Sequence, residues 1–534
     1  MDLDSNKSSV LPQLQPRVNG RGPNIAVSAN HYFFFSAGFI AIGMLFCAVE
    51  LIDGDLYTSR KSILIAVFAV MLLVVGALYL LIKNNQFRVE TVFLVLFCSI
   101  GCISFALPPF TTPDSSSQFY RAYEIANGQF VTNVSFTKKV DDTHTFGFSY
   151  VQGDIEAPGG MQLEQKVVNE TRNRVIHPEK VTTLAYSNMG TYSPVAFLPS
   201  VVGIFLSRAF TNNYWIIVYS ARIATFLFAG VLLYLSIKVC PIERELLCLF
   251  CFNPVLVELY TSMSPDVIAF VSSTLLFCYC CKLRTTNDRV NIAALITLCL
   301  LVSLSKIVYL PLCAFLLLIP SDSFSAIWHG DSLRSKRIVV ITVICISVIA
   351  NLLWLKVATR YLLPFNSGVS AKDQLNGVIS HPFIFILVIV RSIINYGEIW
   401  FKQGIGCHLG WANIISPMAP PLMLFSAFLG LSSSGAGVKS EKGNLFFEEF
   451  FDRLLIAATV FITAGLIFLS LYLQWTPVGS NLVEGIQGRY FYPLIFPLCC
   501  LVSVRTKPLN LQRFWVFVTC CVCLCLMPAI IYFY

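Results

Sequence analysis

The chain has 534 residues, 56% hydrophobic and only 12% charged, with a mean hydropathy of +0.72. Soluble domains carry about a quarter charged residues, so a water-soluble globule is excluded and repeated membrane crossing is expected. The net charge of +8 comes without any basic tract interleaved with aromatics, so membrane lipid and not nucleic acid is the expected partner.

Residues 1–30 are polar and contain Pro12, Pro16, Gly20, Gly22 and Pro23, the composition of a disordered tail. The apolar run that follows is too long for a signal peptide and lacks a small-residue cleavage site, so it is expected to be an uncleaved first helix. Apolar runs predict thirteen crossings, at 32–52, 62–82, 89–107, 214–237, 245–262, 266–282, 290–304, 307–320, 338–357, 418–431, 451–473, 489–504 and 513–533. The predicted organisation is a cytoplasmic tail (1–30), three N-terminal helices (31–107), an extracytoplasmic loop with juxtamembrane helices (108–213) and a transmembrane bundle (214–534). The fold class is all-α and polytopic.

Topology follows from the basic clusters. Lys83/Arg88, Lys238/Arg244, Lys282/Arg284/Arg289, Arg334/Lys336/Arg337, Lys439/Lys442 and Arg505/Lys507/Arg513 belong on the cytoplasmic side. Three crossings then place 108–191 outside. Two further apolar helices, 192–209 and 383–400, must not cross if the clusters on either side of them are to stay inside. Both are expected to lie along the outer face as walls of a site, where protein or a cavity covers irregular backbone. Of the nineteen cysteines, all but Cys407 lie in or beside apolar segments and the large loop has none. They read as small apolar filler, with no disulfide framework for the loop.

The outer ends of the predicted helices carry the chemically interesting side chains. After the third crossing the chain reads Pro108-Pro109-Phe110-Thr111-Thr112-Pro113-Asp114-Ser115-Ser116-Ser117-Gln118-Phe119-Tyr120-Arg121. The prolines stop the helix, and Asp114 falls where a short amphipathic helix needs a cap. A helix cap is its ordinary reading; a base acting on a hydroxyl at the lipid–water boundary is its functional one. Asp266, in Ser264-Pro265-Asp266, also has a capping reading. Lys306 interrupts an apolar hairpin and Arg489 lies in Gln487-Gly488-Arg489-Tyr490. Either cation has a snorkelling role open to it, but ionisable residues at membrane depth are functional candidates, and two cations beside an outer carboxylate suit a phosphate. His381, before the second ambiguous helix, is a weaker candidate for the acceptor side.

Several of these motifs occur in a recognisable order. They are Pro113-Asp114 with Phe119-Tyr120-Arg121-Ala122-Tyr123, Tyr192-Ser193-Pro194, Arg222-Ile223, Ser264-Pro265-Asp266, Lys306 with Tyr309 and Pro311, and Gln487-Gly488-Arg489-Tyr490-Phe491. From about residue 100 to 505 the chain resembles a bacterial family of polytopic membrane proteins of unknown function, DUF2142. That family is often found with surface-polysaccharide genes and looks like the GT-C superfamily of glycosyltransferases. The resemblance implies a GT-C-like fold and a membrane glycosyltransferase of the bacterial inner membrane with its site facing the exterior. The donor would be a polyprenyl-phosphate sugar and the acceptor a lipid-linked or envelope glycan. Asp114 would be the catalytic base. Arg121, Lys306 and Arg489, with Tyr309, Gln487 and Tyr490, would hold the donor phosphate and substrate; Gln118, Arg222, Asp266 and His381 are further candidates. The family pattern Pro-Asp-Glu-x-x-His-x-x-Arg-Ala is broken here by Ser115 and Gln118, so no divalent metal is expected. The reading from a different class is a carrier or flippase of lipid-linked glycan, or a degenerate GT-C scaffold. A flippase should string charges through the bilayer, whereas here they crowd one face.

Overall fold

In a computed structural model, helices form at the apolar runs that fall among the described residues. The structure describes residues 88–502 except 106, 139–144, 158–170, 186–187, 326–330, 362–367, 410–413, 416–418 and 435–449, together with 76, 515, 517–519 and 521–526. The expected tail and the first two expected crossings lie outside the described residues.

Helix α1 (Val89–Ser104) leads to α2 (Ser115–Ala126). A three-stranded antiparallel sheet follows, β1 (Val134–Lys138), β2 (Thr145–Gln152) and β3 (Val181–Ala185), in that spatial order. Its register pairs Val134 with Ser149 and Tyr150 with Thr183. This sheet corrects the all-α expectation for the large loop. Short 3-10 turns then lead into α3 (Leu198–Arg208) and the long α4 (Tyr214–Val239).

The expected single crossing at 245–262 is two short helices, α5 (Arg244–Cys251) and α6 (Pro254–Tyr260). Pro254 cannot donate the backbone hydrogen bond that would continue α5. Asn253 instead caps α6, its Oδ1 accepting from Val255 N at 3.0 Å. Helix α7 (Pro265–Thr286) is the most enclosed of the long apolar helices, with 17 of its 22 residues buried. Next come α8 (Ile292–Ser305), a 3-10 helix over Ile307–Leu318 with Pro311 inside it, and α9 (Ser332–Ala358). After α10 (Ala371–Ser380) and α11 (Pro382–Ile405), a two-stranded pair, β4 (His408–Leu409) and β5 (Ile414–Ile415), precedes α12 (Ala419–Ser434). The last elements are α13 (Phe450–Gln474), a 3-10 turn over Gly488–Phe491, α14 (Tyr492–Val502) and a short apolar helix over Phe517–Leu526.

Among the described residues five helices are long and apolar enough to cross a membrane: α4, α7, α9, α11 and α13. Helix α11 is therefore long enough for the crossing that the charge argument denied it. Both its halves nevertheless contact one stretch of chain. Ser392 Oγ accepts from Val483 N at 2.8 Å, and the Trp400 carbonyl and Gly404 backbone press on Gly488.

Association of apolar helices in lipid depends on close packing, because the lipid is as apolar as the side chains. Gly203 on α3 shows this. A Cβ there would fall on the Ser220 carbonyl of α4, so glycine lets the two backbones touch. The main core runs through α1, α4 to α8, the 3-10 helix and α14, and it contains Cys240, Cys278, Cys281 and Cys500 as buried apolar filler. A second core, with Phe119, Tyr123, Val151, Ile155, Tyr214 and Trp215, joins α2 and the sheet to the start of α4.

The elements alternate in direction so that one end of the bundle collects the end of α1, the start of α7 and the ends of α8, α9 and α13. At the opposite end, Arg284 near the end of α7 pairs with Asp452 near the start of α13, and Lys336 Nζ donates to the Leu317 carbonyl at 2.9 Å.

Candidate functional site

The site begins where the prolines after α1 turn the chain. Asp114 occupies the N-cap position of α2, but its backbone is left-handed (φ 63°) and its side chain makes no capping hydrogen bond. Aspartate and asparagine tolerate this conformation better than other side chains bearing a Cβ. The turn is held by its neighbours instead. Ser115 Oγ donates to Thr112 O at 2.7 Å and Gln118 Nε2 to Pro113 O at 3.4 Å. The Asp114 carboxylate is thereby turned toward Arg489, whose Nη2 donates to Asp114 Oδ2 at 3.2 Å.

Asp266 sits in the first turn of α7, where the helix dipole favours a carboxylate. Its own amide donates to Ser264 Oγ at 3.2 Å, so Ser264 is the cap and not Asp266. One oxygen of Asp266 lies 3.2 Å from Arg489 Nε and the other is in direct contact with Lys306 Nζ. Lys306 interrupts the path from α8 into the 3-10 helix in an extended conformation. Its ammonium stands 4.3 Å from the centre of the Tyr490 ring and 5.8 Å from that of Tyr192, distances at which a cation is attracted to the ring face. Burial works against the ammonium and the Asp266 carboxylate beside it favours it, and with the groups around it the net effect is a lysine pKa above the ordinary value. Tyr309 Oη donates to the Tyr490 carbonyl at 2.9 Å and fixes that ring beside Lys306.

Asp114, Arg489, Asp266 and Lys306 thus form a chain of alternating charge, two carboxylates and two cations. The members differ in access. The Asp114 side chain is 35% exposed, Lys306 12%, Arg489 7% and Asp266 6%. Asp114 and Lys306 line a cavity of about 290 Å³ together with Tyr192, Tyr309 and Tyr490. Arg489 and Asp266 stand behind that wall. Trp354, Trp475, Asn351 and Gln474 extend the lining, and Leu355, Ala358, Ile467 and Leu471 of α9 and α13 make it apolar. Trp354 is fixed by its indole N–H, which donates to Thr191 O at 2.8 Å.

Four of the expected residues gather here directly, namely Asp114, Lys306, Tyr309 and Tyr490, and two more, Asp266 and Arg489, support them. Arg121 does not join them. It is buried in the loop domain, where Nη1 donates to Glu124 Oε2 at 3.0 Å and Nη2 to Phe130 O at 2.6 Å. Burial raises the Glu124 pKa, and Arg121 and Thr132 counter part of that rise. Arg222 is likewise a structural clamp, donating to Thr261 O at 2.5 Å and Leu107 O at 2.9 Å. Gln118 serves the turn already described. Gln487 starts the 3-10 turn, its carbonyl accepting from Tyr490 N at 3.1 Å. His381 is exposed between α10 and α11. Trp354 was not singled out by sequence; its only signal is an indole near the end of an apolar run. Among the described residues no three His, Cys, Asp or Glu side chains cluster as metal ligands do.

Several long apolar helices and a charged cavity at one bundle end define a membrane protein with a candidate site at that end. The model of a predicted membrane protein family, DUF2142, matches residues 96–498, and the chain belongs to that family. The match takes in every member of the charge chain. No curated protein and no solved structure matches the chain.

Proposed function

We propose that this protein is a membrane glycosyltransferase of GT-C type, working on the outer face of the bacterial inner membrane. The observation that carries the reading is the single cavity in which Asp114 and Lys306 face a common space walled by α9 and α13. The lining combines an ammonium, aromatic and amide side chains and aliphatic ones, the chemistry that a ligand with a phosphate, a sugar and an apolar tail requires. Such a ligand is a polyprenyl-phosphate sugar, and the acceptor is a lipid-linked or envelope glycan.

In this mechanism the acceptor hydroxyl oxygen forms a bond to the anomeric carbon as the bond from that carbon to the phosphate oxygen breaks. The hydroxyl proton goes to Asp114, and polyprenyl phosphate leaves with its charge opposite Lys306. General-base assistance of this kind contributes about a hundred- to ten-thousand-fold in rate. Thirteen crossings, with the tail inside and the site outside, complete the reading. It is supported by the concentration of Lys282, Arg284, Arg289, Arg334 and Lys336 at the bundle end away from the cavity.

The test is sugar transfer by the purified full-length chain, given polyprenyl-phosphate hexoses and membrane-derived glycan acceptors. The parent should release polyprenyl phosphate, and Asp114→Asn should fold yet transfer nothing. Full activity of Asp114→Asn would remove the base. Binding without transfer by the parent would favour a carrier.

A further inference from the structure

Arg489 is committed on two sides. Its Nε faces Asp266 and its Nη2 faces Asp114, both at 3.2 Å. Asp266 is buried and also holds Lys306, so it is fixed. Asp114 is the more exposed partner, and it gives up the capping bond that its position in α2 offers. With both carboxylates ionised the four side chains carry no net charge. An incoming anion therefore meets no excess of positive charge unless one carboxylate moves aside, and only Asp114 lines the cavity. Once it moves, Asp266, Lys306 and Arg489 together carry one positive charge. The planar edge of a guanidinium suits two oxygens of a phosphate as well as those of a carboxylate.

We infer that the Asp114 carboxylate competes with the phosphate group of a lipid-linked ligand for the Arg489 guanidinium, so that phosphate binding releases Asp114 from its ion pair. This rests on the reading of the cavity as a prenyl-phosphate site, and it adds an order of events to that reading. The phosphate takes the arginine, and the carboxylate so freed faces the cavity without a cation holding its lone pairs.

The competition makes a prediction opposite to that for an ordinary binding residue: removing Asp114 tightens binding. Asn and Gly both suit φ 63°, so Asp114→Asn and Asp114→Gly keep the turn while deleting the charge. Equilibrium binding of radiolabelled farnesyl phosphate to the full-length chain in nanodiscs should strengthen about ten-fold or more in both, the scale of one charge-assisted hydrogen bond. Adding Arg489→Gln to Asp114→Asn should abolish the gain. Inorganic phosphate serves as a second probe. A gain with both probes assigns the effect to the phosphate group alone, and a gain with farnesyl phosphate only assigns it to the lipid-linked form; either supports the competition. Unchanged or weaker binding by both folded variants, binding by none of the proteins, or a gain that survives Arg489→Gln overturns it. Sugar transfer by the parent without a gain in the variants sinks the competition alone. A gain with no transfer by the parent sinks the transferase and leaves the competition standing.

Discussion

Asp266 is the member of the charge chain whose loss the structure makes most costly. Asp266→Asn keeps the shape and the first turn of α7, because the cap is Ser264, but it removes the counter-charge shared by Lys306 and Arg489. All three side chains are at most 12% exposed, so water cannot screen what remains. Removing one partner of a buried ion pair costs about 3–5 kcal/mol. Two pairs are lost here, but they share one carboxylate and their costs do not add, and Arg489 keeps Asp114. About 3–5 kcal/mol in all is therefore the expected loss, a large part of the 5–15 kcal/mol by which a typical protein is stable. The protein carries its own reporter: ten cysteines between Cys240 and Cys500 are buried free thiols, so a dye that fluoresces on reaction with thiols will follow thermal unfolding in detergent. Asp266→Asn should melt well below the parent, and Asp266→Asn combined with Lys306→Met should recover part of the loss by removing the orphaned ammonium. A single variant that melts with the parent, or a double variant that falls by the sum of the two single losses, refutes the buried-pair reasoning.

Lys306→Gln should weaken farnesyl phosphate binding about ten-fold or more, as loss of a charged donor to phosphate does; titration of the nanodisc-embedded protein decides it, and parental affinity would reduce Lys306 to a structural partner of Asp266. Arg121→Met should leave that affinity unchanged while destabilising the loop domain. The Glu124 pKa is already raised by burial, and without Arg121 it rises further. A carboxyl raised above its unfolded value favours the folded state at low pH and loses that contribution as pH rises, so the variant's melting deficit should be larger at pH 8 than at pH 5. Residues 108–191 and 321–337 should face opposite sides, read by labelling single cysteines introduced into a background cleared of reactive thiols; labelling from one side would end the topology. Gly203→Ala should lower thermal stability, because its methyl group meets the Ser220 backbone, and unaltered melting would show that α3 and α4 can separate at no cost.

Much of the site was legible because charge is conspicuous in an apolar chain. Asp114, Asp266, Lys306 and Arg489 stand at the ends of apolar runs, and the alternating helix directions bring those ends together. What the spacing did not convey was depth. Arg489 and Lys306 look alike in sequence as cations at helix ends, yet one is behind the wall and the other on it, because Arg489 lies in a 3-10 turn pressed against α11. Arg121 shared a motif with Asp114 and was read with it. The distinction lies in the backbone: Asp114 precedes α2 in a left-handed conformation, so helical spacing does not put it on the face of Arg121, and Arg121 meets Glu124 one turn later. The sheet in the loop went unread because its strands are short and mixed in polarity. The break at Asn253-Pro254 carried a plain signal in its proline, which the apolar run on either side outweighed. Helix α11 shows the limit of charge counting, since its length permits what the loop charges forbid.

The charge chain also explains why several distant elements must be placed together with precision. A buried carboxylate is tolerable only beside its cations, so the start of α7, the end of α8 and the Gly488–Phe491 turn are tied by electrostatics at a point where apolar packing alone would let them slide. Gly488 tightens the tie further. A Cβ at that position would collide with the Trp400 carbonyl of α11, so the turn bearing Arg489 is seated directly on that helix. Trp400 in turn stacks edge-on against Phe468 of α13, with ring centres 5.7 Å apart, and α13 supplies Ile467 and Leu471 to the cavity wall. A shift of α11 therefore reaches both the arginine behind Asp114 and the apolar side of the cavity. The helix whose length and loop charges disagree is thus the one best situated to couple the apolar wall of the cavity to Asp114.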